Sequence, residues 1–329
     1  DEGPYVENPY ASANTYWLTW ESPGTPSGFS GDPRRMETDD LQSSPSVPLA
    51  DAYWARLHLE RNIIERQGWC DGWFWQEMMQ SPLPERRYFR QTLDHVRADS
   101  TAVLRALVQG SSSAPASPDH HALFYLNTEL MRTADWDGYA SYMFEAADAP
   151  VVEGLNSLEI YVPREDAAHD EDNILVDWYD LEYWRELWSD DDLLVFGSSG
   201  RTGEVRFSVG GFTSTDAAVF KVIDRLTART VPGVEIEGSS SGFRVEFQDA
   251  VADTASYVAV SAAGYVTPEI ERDTPSGLRT VTDADYIMVA HDDFYDATAR
   301  LRDHRESAEG GGFSYRLVRD QRRFDLRRP

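Results

Sequence analysis

The chain has 329 residues, long enough for two or three domains that each bury a core. Its 57 acidic residues against 30 basic ones give a net charge of −27, which disfavours nucleic-acid binding through phosphate contacts. Cys70 is alone, which excludes an intrachain disulfide and a cysteine-held metal, and no apolar run approaches the ~20 residues of a membrane helix.

Lys221 is the one lysine. An acidic surface with Arg in place of Lys fits a protein adapted to high salt, with a merely acidic protein as the alternative. The one basic segment is the end of the chain, with Arg316, Arg319, Arg322, Arg323, Arg327 and Arg328.

In chain order, residues 1–10 are polar and 15–20 are aromatic and β-prone. Gly/Pro/Ser-rich connectors at 21–32 and 41–50 flank a short strand expected at 33–37. From Ala52 the chain alternates, with Trp54, Arg56, His58 and Glu60 on one face and Tyr53, Ala55, Leu57 and Leu59 on the other. That pattern predicts a half-buried strand, although these residues, like those of 88–96, also suit a helix. Trp73 and Trp75 share a face if that stretch is extended.

Strands are then expected at 103–108, 121–127, 130–136, 139–145, 155–162 and 174–187, with Ala122, Phe124 and Leu126 facing one core. Short strands separated by turn signals predict a jelly-roll-like antiparallel sandwich. A second small β region follows, with strands at 193–196, 205–209, 218–223, 243–247 and 257–261 and turns at Gly210-Gly211 and at 238–242. After a connector, Tyr286 to Ala290 reads as a buried strand. Asp292 and Asp293 can cap a helix in which Phe294, Ala297 and Leu301 recur at helical spacing, with Arg300, Arg302 and Arg305 toward its negative end. Gly310–Gly312 stop that helix, and 313–318 alternates as a strand. The fold class is therefore mainly β, ending in one β-α-β unit, which cannot bury its own strands.

Few residues carry chemistry. Cys70 is the one possible thiol nucleophile, but its surroundings supply no positioned base, so it reads as inert. A self-contained hydrolase would have to depend on it. His120 and His121 point to opposite faces of a strand and read as a strand-edge polar pair. Asp170, Glu171, Asp172, Asn173 and Asp177 could ligate calcium, although such runs are common in a chain this acidic. Trp54, Trp73, Trp75, Trp136, Trp178, Trp184 and Trp188 could stack sugars, with Trp136 and Trp184 the favoured pair, or could fill cores. His291, at the end of a strand, reads as structural. No phosphate-binding loop, serine nucleophile elbow or His-Glu-x-x-His motif is present, and no cofactor or metal is expected.

Several stretches together resemble a family. They are Thr15-Tyr-Trp-Leu-Thr-Trp20, Asp71-Gly-Trp-Phe-Trp75, Asp119-His-His121, Asp135-Trp-Asp-Gly138, Glu153-Gly-Leu-Asn-Ser-Leu158, Gly211-Phe-Thr-Ser-Thr-Asp216 and the run from Val266 through Arg305. In this order the chain resembles the region ahead of, and the entry into, the α/β catalytic domain of secreted gingipain-like cysteine peptidases. The resemblance implies a non-catalytic supporting or regulatory region, secreted or at the cell surface, whose partner is the rest of its own peptidase domain. The family's catalytic His and Cys lie deeper in the α/β domain, so no catalytic residue is carried over. The expected divisions are 1–100, a β-rich region; 101–190, the sandwich; 191–284, the small β domain and connector; and 285–329, a truncated α/β domain. If the chain is a fragment, a leader is expected to have been lost upstream. The rival reading is a jelly-roll module that binds glycan or a cell-surface polymer.

Overall fold

The computed structural model describes residues 36–320 apart from 43, 45, 67–71, 81–82, 99, 116, 164–170, 225–226, 240–241, 252–253, 271 and 273–283. Cys70, Asp170, the element expected at 15–20 and residues 33–35 of the strand expected at 33–37 lie outside the described residues. The described residues fall into two compact units, parted after Tyr265.

The first unit opens with β1 (Glu37–Thr38) and β2 (Leu49–Ala50), followed by β3 (Ala52–Glu60), β4 (Ile64–Glu65), β5 (Trp73–Phe74), β6 (Gln76–Gln80) and β7 (Glu85–Leu93). Next come β8 (Ala102–Gly110), β9 (His120–Leu126), β10 (Glu129–Trp136), β11 (Ser141–Ala147), β12 (Gly154–Val162) and the long β13 (Asp172–Glu186). The ambiguous stretch at Ala52 is thus a strand; its alternation outweighs its helix-forming residues. Two sheets face each other, β11-β8-β13-β3 with β6 also on β13, and β10-β9-β12-β7. Their strands come from both sides of residue 101.

Between the sheets Leu104, Val108, Phe124, Leu126, Leu158, Ile160, Val176 and Tyr179 are almost wholly buried. Each such aliphatic or aromatic side chain contributes about 1.5–3 kcal/mol relative to exposure. Burial also lifts the Tyr179 phenol to about 12. β13 carries a bulge between Val176 and Trp178. Below the bulge it pairs with β6, above it with β3, so one strand spans both halves of the sheet.

The second sandwich is built from β14 (Leu193–Gly197), β15 (Gly203–Phe212), β16 (Ala218–Asp224), β17 (Thr227–Thr230), β18 (Glu235–Ser239), β19 (Gly242–Val251) and β20 (Ser256–Val260). Its sheets run β1-β17-β16-β20-β14 and β18-β19-β15-β2. β1 and β2 add to them in parallel, so the segment that precedes the first sandwich in sequence completes the second. Phe196, Phe207, Phe247 and Tyr257 form an aromatic cluster at its centre, with ring centroids 5.0–6.5 Å apart. β17 and β18 escape the sequence pattern because Thr-Ala-Arg-Thr and Glu-Ile-Glu-Gly-Ser read as polar linkers. Gly210-Gly211, expected as a turn, instead forms a bulge inside β15, with Gly211 at φ +90°.

In the second unit, β21 (Tyr286–His291), α1 (Tyr295–Glu306) and β22 (Tyr315–Asp320) form the expected β-α-β unit, its two strands paired in parallel from Tyr286↔Tyr315 to His291↔Asp320. The expected caps do not form. Residues Asp292–Phe294 make a tight turn, Phe294 takes the N-cap position, and no side chain caps the helix. Thr298 Oγ1 instead donates to the Phe294 carbonyl at 2.8 Å.

Candidate functional site

Three polar clusters and one apolar surface stand out. The first cluster lies on the outer face of sheet β11-β8-β13-β3. Here Trp54, Arg56, His58 and Glu60 of β3 meet Trp178, Asp180, Glu182 and Trp184 of β13. Asp180 is fully buried at its side chain and accepts from Arg56 at 2.7 and 3.1 Å, while His58 Nδ1 sits 2.6 Å from its other oxygen. His58 Nε2 lies 3.1 Å from Glu60. Its hydrogen bond to Asp180 is the main reason the His58 pKa rises, against some desolvation. Burial pushes Asp180 up, but His58 and Arg56 more than offset it and hold its carboxyl below the usual range. With both ring nitrogens facing carboxylates, His58 is held toward its cationic form within an ion lattice. Arg105 extends the lattice to Glu145 at 2.8 Å and to Glu182.

The favoured tryptophans are not brought together. Trp184 is half-buried on this lattice, edge to face with Trp54 at 5.7 Å and with the Arg201 guanidinium 5.2 Å from its ring. Trp136 sits at 8% exposure in the first core, stacked on His120 at 4.9 Å and Tyr142 at 5.3 Å. Its ring is packing, so it has no open face for a sugar. Trp75 stacks on Tyr179, and Trp188 on His95.

The second cluster surrounds His120. His120 and His121 open β9 where it pairs with β10 alone, but His120 is fully buried, so the polar pair is not a solvated one. His120 Nδ1 is 2.6 Å from Asp172 Oδ1, and Nε2 is 2.9 Å from the Gly138 carbonyl. A carbonyl and a carboxylate only accept, so both ring nitrogens donate and the ring is an imidazolium. Asp119 lies 3.8 Å away and accepts from the Gly138 and Ala114 amides, both at 2.7 Å. Asp172 also accepts from the His121 amide at 2.9 Å. Its carboxylate is therefore committed to histidine, and the calcium expectation loses a ligand. Among the described residues, no group of three His, Cys, Asp or Glu gathers as a metal site.

Burial alone would pull the His120 pKa down, but Asp172, Asp119 and the Gly138 carbonyl more than offset it, and the net shift is upward. A raised folded pKa means that His120 stabilises the fold fully below its unfolded value of about 6.5. That contribution fades as pH rises through the folded pKa. Urea unfolding over a pH series is expected to show an alkaline arm of falling stability that flattens in His120→Gln. An unchanged arm in the variant would assign it to another group.

The third cluster joins Lys221, Asp249, Asp39 and Tyr257 inside the second sandwich. Sequence reasoning marked Lys221 as the one lysine but had no signal for its partners, which lie on other strands.

The apolar surface belongs to the β-α-β unit. Ile287 is 64% exposed, Val289 62% and Phe294 61%, and no residue of α1 is buried. The helix stripe expected to face a core, Phe294 and Leu301, is therefore uncovered, Leu301 at 43% exposure. A two-stranded parallel sheet has too few strands to cover either face. His291 Nδ1 lies 3.5 Å from the Asp293 carboxylate and accepts from the Asp293 amide at 3.3 Å.

No helix of the described residues is long and apolar enough to cross a membrane. No family model and no curated protein matches the sequence. Two CBM36 carbohydrate-binding modules align with 39% of the chain. One comes from a multidomain xylanase of the hindgut metagenome of Trinervitermes trinervoides, covered over 96% at 8% identity, and the other was solved with calcium and xylotriose, covered over 98% at 10% identity. Their TM-scores of 0.27 and 0.26 are too low to show a shared fold. The crystal structure of dimeric latent PorU from Porphyromonas gingivalis matches at a TM-score of 0.65 and 15% identity over 87% of this chain and 27% of that one. The chain therefore has the fold of a stretch of PorU, and it spans about a quarter of that protein's length.

Proposed function

We propose that this chain is the non-catalytic supporting or regulatory region of a gingipain-like cysteine peptidase, secreted or at the cell surface, and that its β-α-β unit is the opening of the peptidase sheet. The observation that carries the reading is the parallel pair β21·β22 with Ile287, Val289, Phe294 and Leu301 uncovered, in a chain whose fold is similar to part of PorU. Apolar strands of a parallel sheet are stable when further strands and helices cover them. The two sandwiches would serve as the scaffold from which that sheet is begun. Hydrolysis would use a Cys and a His supplied by the remaining α/β polypeptide.

The test is hydrogen exchange on the isolated chain and on the chain extended by its downstream coding sequence. Amides of β21 and β22 are expected to exchange fast in the first and to be protected in the second, with Ile287→Asp abolishing the gain. Strong protection of β22 in the isolated chain, or a downstream sequence without an α/β continuation, would overturn the reading.

A glycan-binding reading retains one favourable feature, the half-buried Trp54–Trp184 pair beside Glu182 and Arg56 on an outer sheet face. It predicts specific binding on a broad glycan panel that Trp184→Ala removes; binding to no member of the panel sinks it.

A further inference from the structure

The chain keeps its one lysine in the interior of a sandwich. Lys221 on β16 and Asp249 on β19 belong to different sheets, and each alternates with core residues, Val219 on one strand and Val245, Phe247 and Val251 on the other. Both side chains therefore point between the sheets. Lys221 Nζ lies 3.0 Å from Asp249 Oδ1 and 2.7 Å from Oδ2. A second carboxylate, Asp39, follows β1 and places Oδ2 3.3 Å from the same nitrogen. Tyr257, fully buried on β20, donates its hydroxyl to Asp249 Oδ2. The side chains are 14% exposed at Lys221, 5% at Asp249 and 15% at Asp39, and the Phe196, Phe207 and Phe247 rings pack around Tyr257.

An ion pair alone does not explain the residue choice. The other basic positions use arginine, and a guanidinium pairs with carboxylates at least as well as an ammonium. What lysine offers and arginine does not is an amine that can lose its proton and attack a carbonyl carbon. Such a step also needs a carboxyl held in contact, a donor on its oxygen, a nearby group to carry protons and shelter from water. Asp249, Tyr257, Asp39 and the aromatic cluster supply these in turn.

We propose that Lys221 and Asp249 condense into an isopeptide bond that joins the two sheets of the second sandwich, with Asp39 as the proton carrier and Tyr257 as the donor to the reacting carboxyl. A proton passes from the ammonium to the Asp249 carboxylate across their contact, leaving an amine and a carboxylic acid. The nitrogen lone pair attacks Cγ, and the Tyr257 hydroxyl supports the charge that develops on Oδ2. Asp39 takes a proton from the nitrogen and returns it to the departing hydroxyl. The C–O bond breaks and water leaves. One ammonium and one carboxylate become one amide and one water, with no oxidant, reductant or further reactant.

Burial would lower the Lys221 pKa, but the hydrogen bonds and charges of Asp249 and Asp39 more than offset it and raise it, so the pair rests as ammonium and carboxylate and the proton transfer to Asp249 is the uphill step of the path. Burial, then Asp249 and Asp39, push the Tyr257 phenol far up, so it remains a donor. The amide would close the chain between β16 and β19 into a covalent loop and constrain the unfolded state as a disulfide does, in a chain whose single cysteine cannot form one.

The test is the denatured intact mass of the full chain. The wild type is expected to be lighter than its sequence by one water, about 18 Da, and its digest to contain a branched peptide joining the Lys221 and Asp249 segments. Lys221→Arg keeps the ion pair and is expected at full sequence mass. Asp39→Asn is expected to leave most molecules uncondensed. A folded wild type at sequence mass after long incubation, or a water loss that persists in Lys221→Arg, would overturn the proposal. If Lys221→Arg does not fold, the presence or absence of the branched peptide in the wild type decides.

Discussion

Replacing His120 with alanine is expected to destabilise the first sandwich by about 3–5 kcal/mol, the usual cost of removing one partner from a buried ion pair. His120 is fully buried and is the cation for Asp172 and Asp119, whose side chains are 3% and 2% exposed. Its removal leaves two carboxylates facing each other's field without a positive charge. It also leaves the Gly138 carbonyl without its donor and takes away the ring on which Trp136 stacks. His120→Gln should recover part of the loss through one hydrogen bond, but not the charge. Gly110→Ala tests the same packing from the other side. A Cβ there would lie 2.0 Å from the Gly138 carbonyl oxygen and 2.4 Å from His120 Nε2, so the variant should lose at least the ~1–3 kcal/mol of an overpacked core. Urea unfolding followed by tryptophan fluorescence measures both. A loss under about 1 kcal/mol in His120→Ala would mean that the ring is neutral and the carboxylates are otherwise satisfied.

The alternating strands were legible because each half-buried strand writes its burial into every second residue. Ala122, Phe124 and Leu126 show this, as do Trp54, Arg56, His58 and Glu60, whose common face proved to be the outer lattice with Asp180. The β-α-β unit was legible as well, from a short apolar run, a helical stripe and a glycine stop. Long-range pairing was not. Nothing local says that β1 and β2 pair with β17 and β15, across almost the whole first unit, or that Gln76–Gln80 lengthens the sheet beside β13. His120 was misread because two adjacent histidines look polar. A buried imidazolium is recognisable only when Asp172, 52 positions away, and the Gly138 carbonyl are known to converge on it. The covering of Trp136 was illegible for the same reason: a tryptophan has one composition signal whether its faces are covered or open.

Phe207→Ala is expected to cost the second sandwich about 3–5 kcal/mol while leaving the first almost unchanged. Phe207 is 1% exposed and touches all three other rings of the aromatic cluster, with centroids 5.7 Å from Phe196, 5.1 Å from Phe247 and 5.0 Å from Tyr257. Its truncation opens a cavity bordered by both sheets, since Phe247 shares its sheet while Phe196 and Tyr257 belong to the facing one. Among the described residues the two sandwiches share no fully buried core residue; Tyr53 packs at the edge of each. Distant sites without shared partners are additive within about 0.3–0.5 kcal/mol, so exchange protection in β8, β9 and β12 should fall by no more than that. Protection in β15, β19 and β20 should fall by the full amount. Equal losses in both sandwiches would instead make them one cooperative unit. The link would then be traced to Arg185, which bonds Tyr53 at 3.3 Å and the Trp188 carbonyl at 3.1 Å and pairs with Asp190. An Arg185→Ala background that restored unequal losses would locate the coupling there, whereas equal losses in that background as well would place it in the direct packing of β3 against β14.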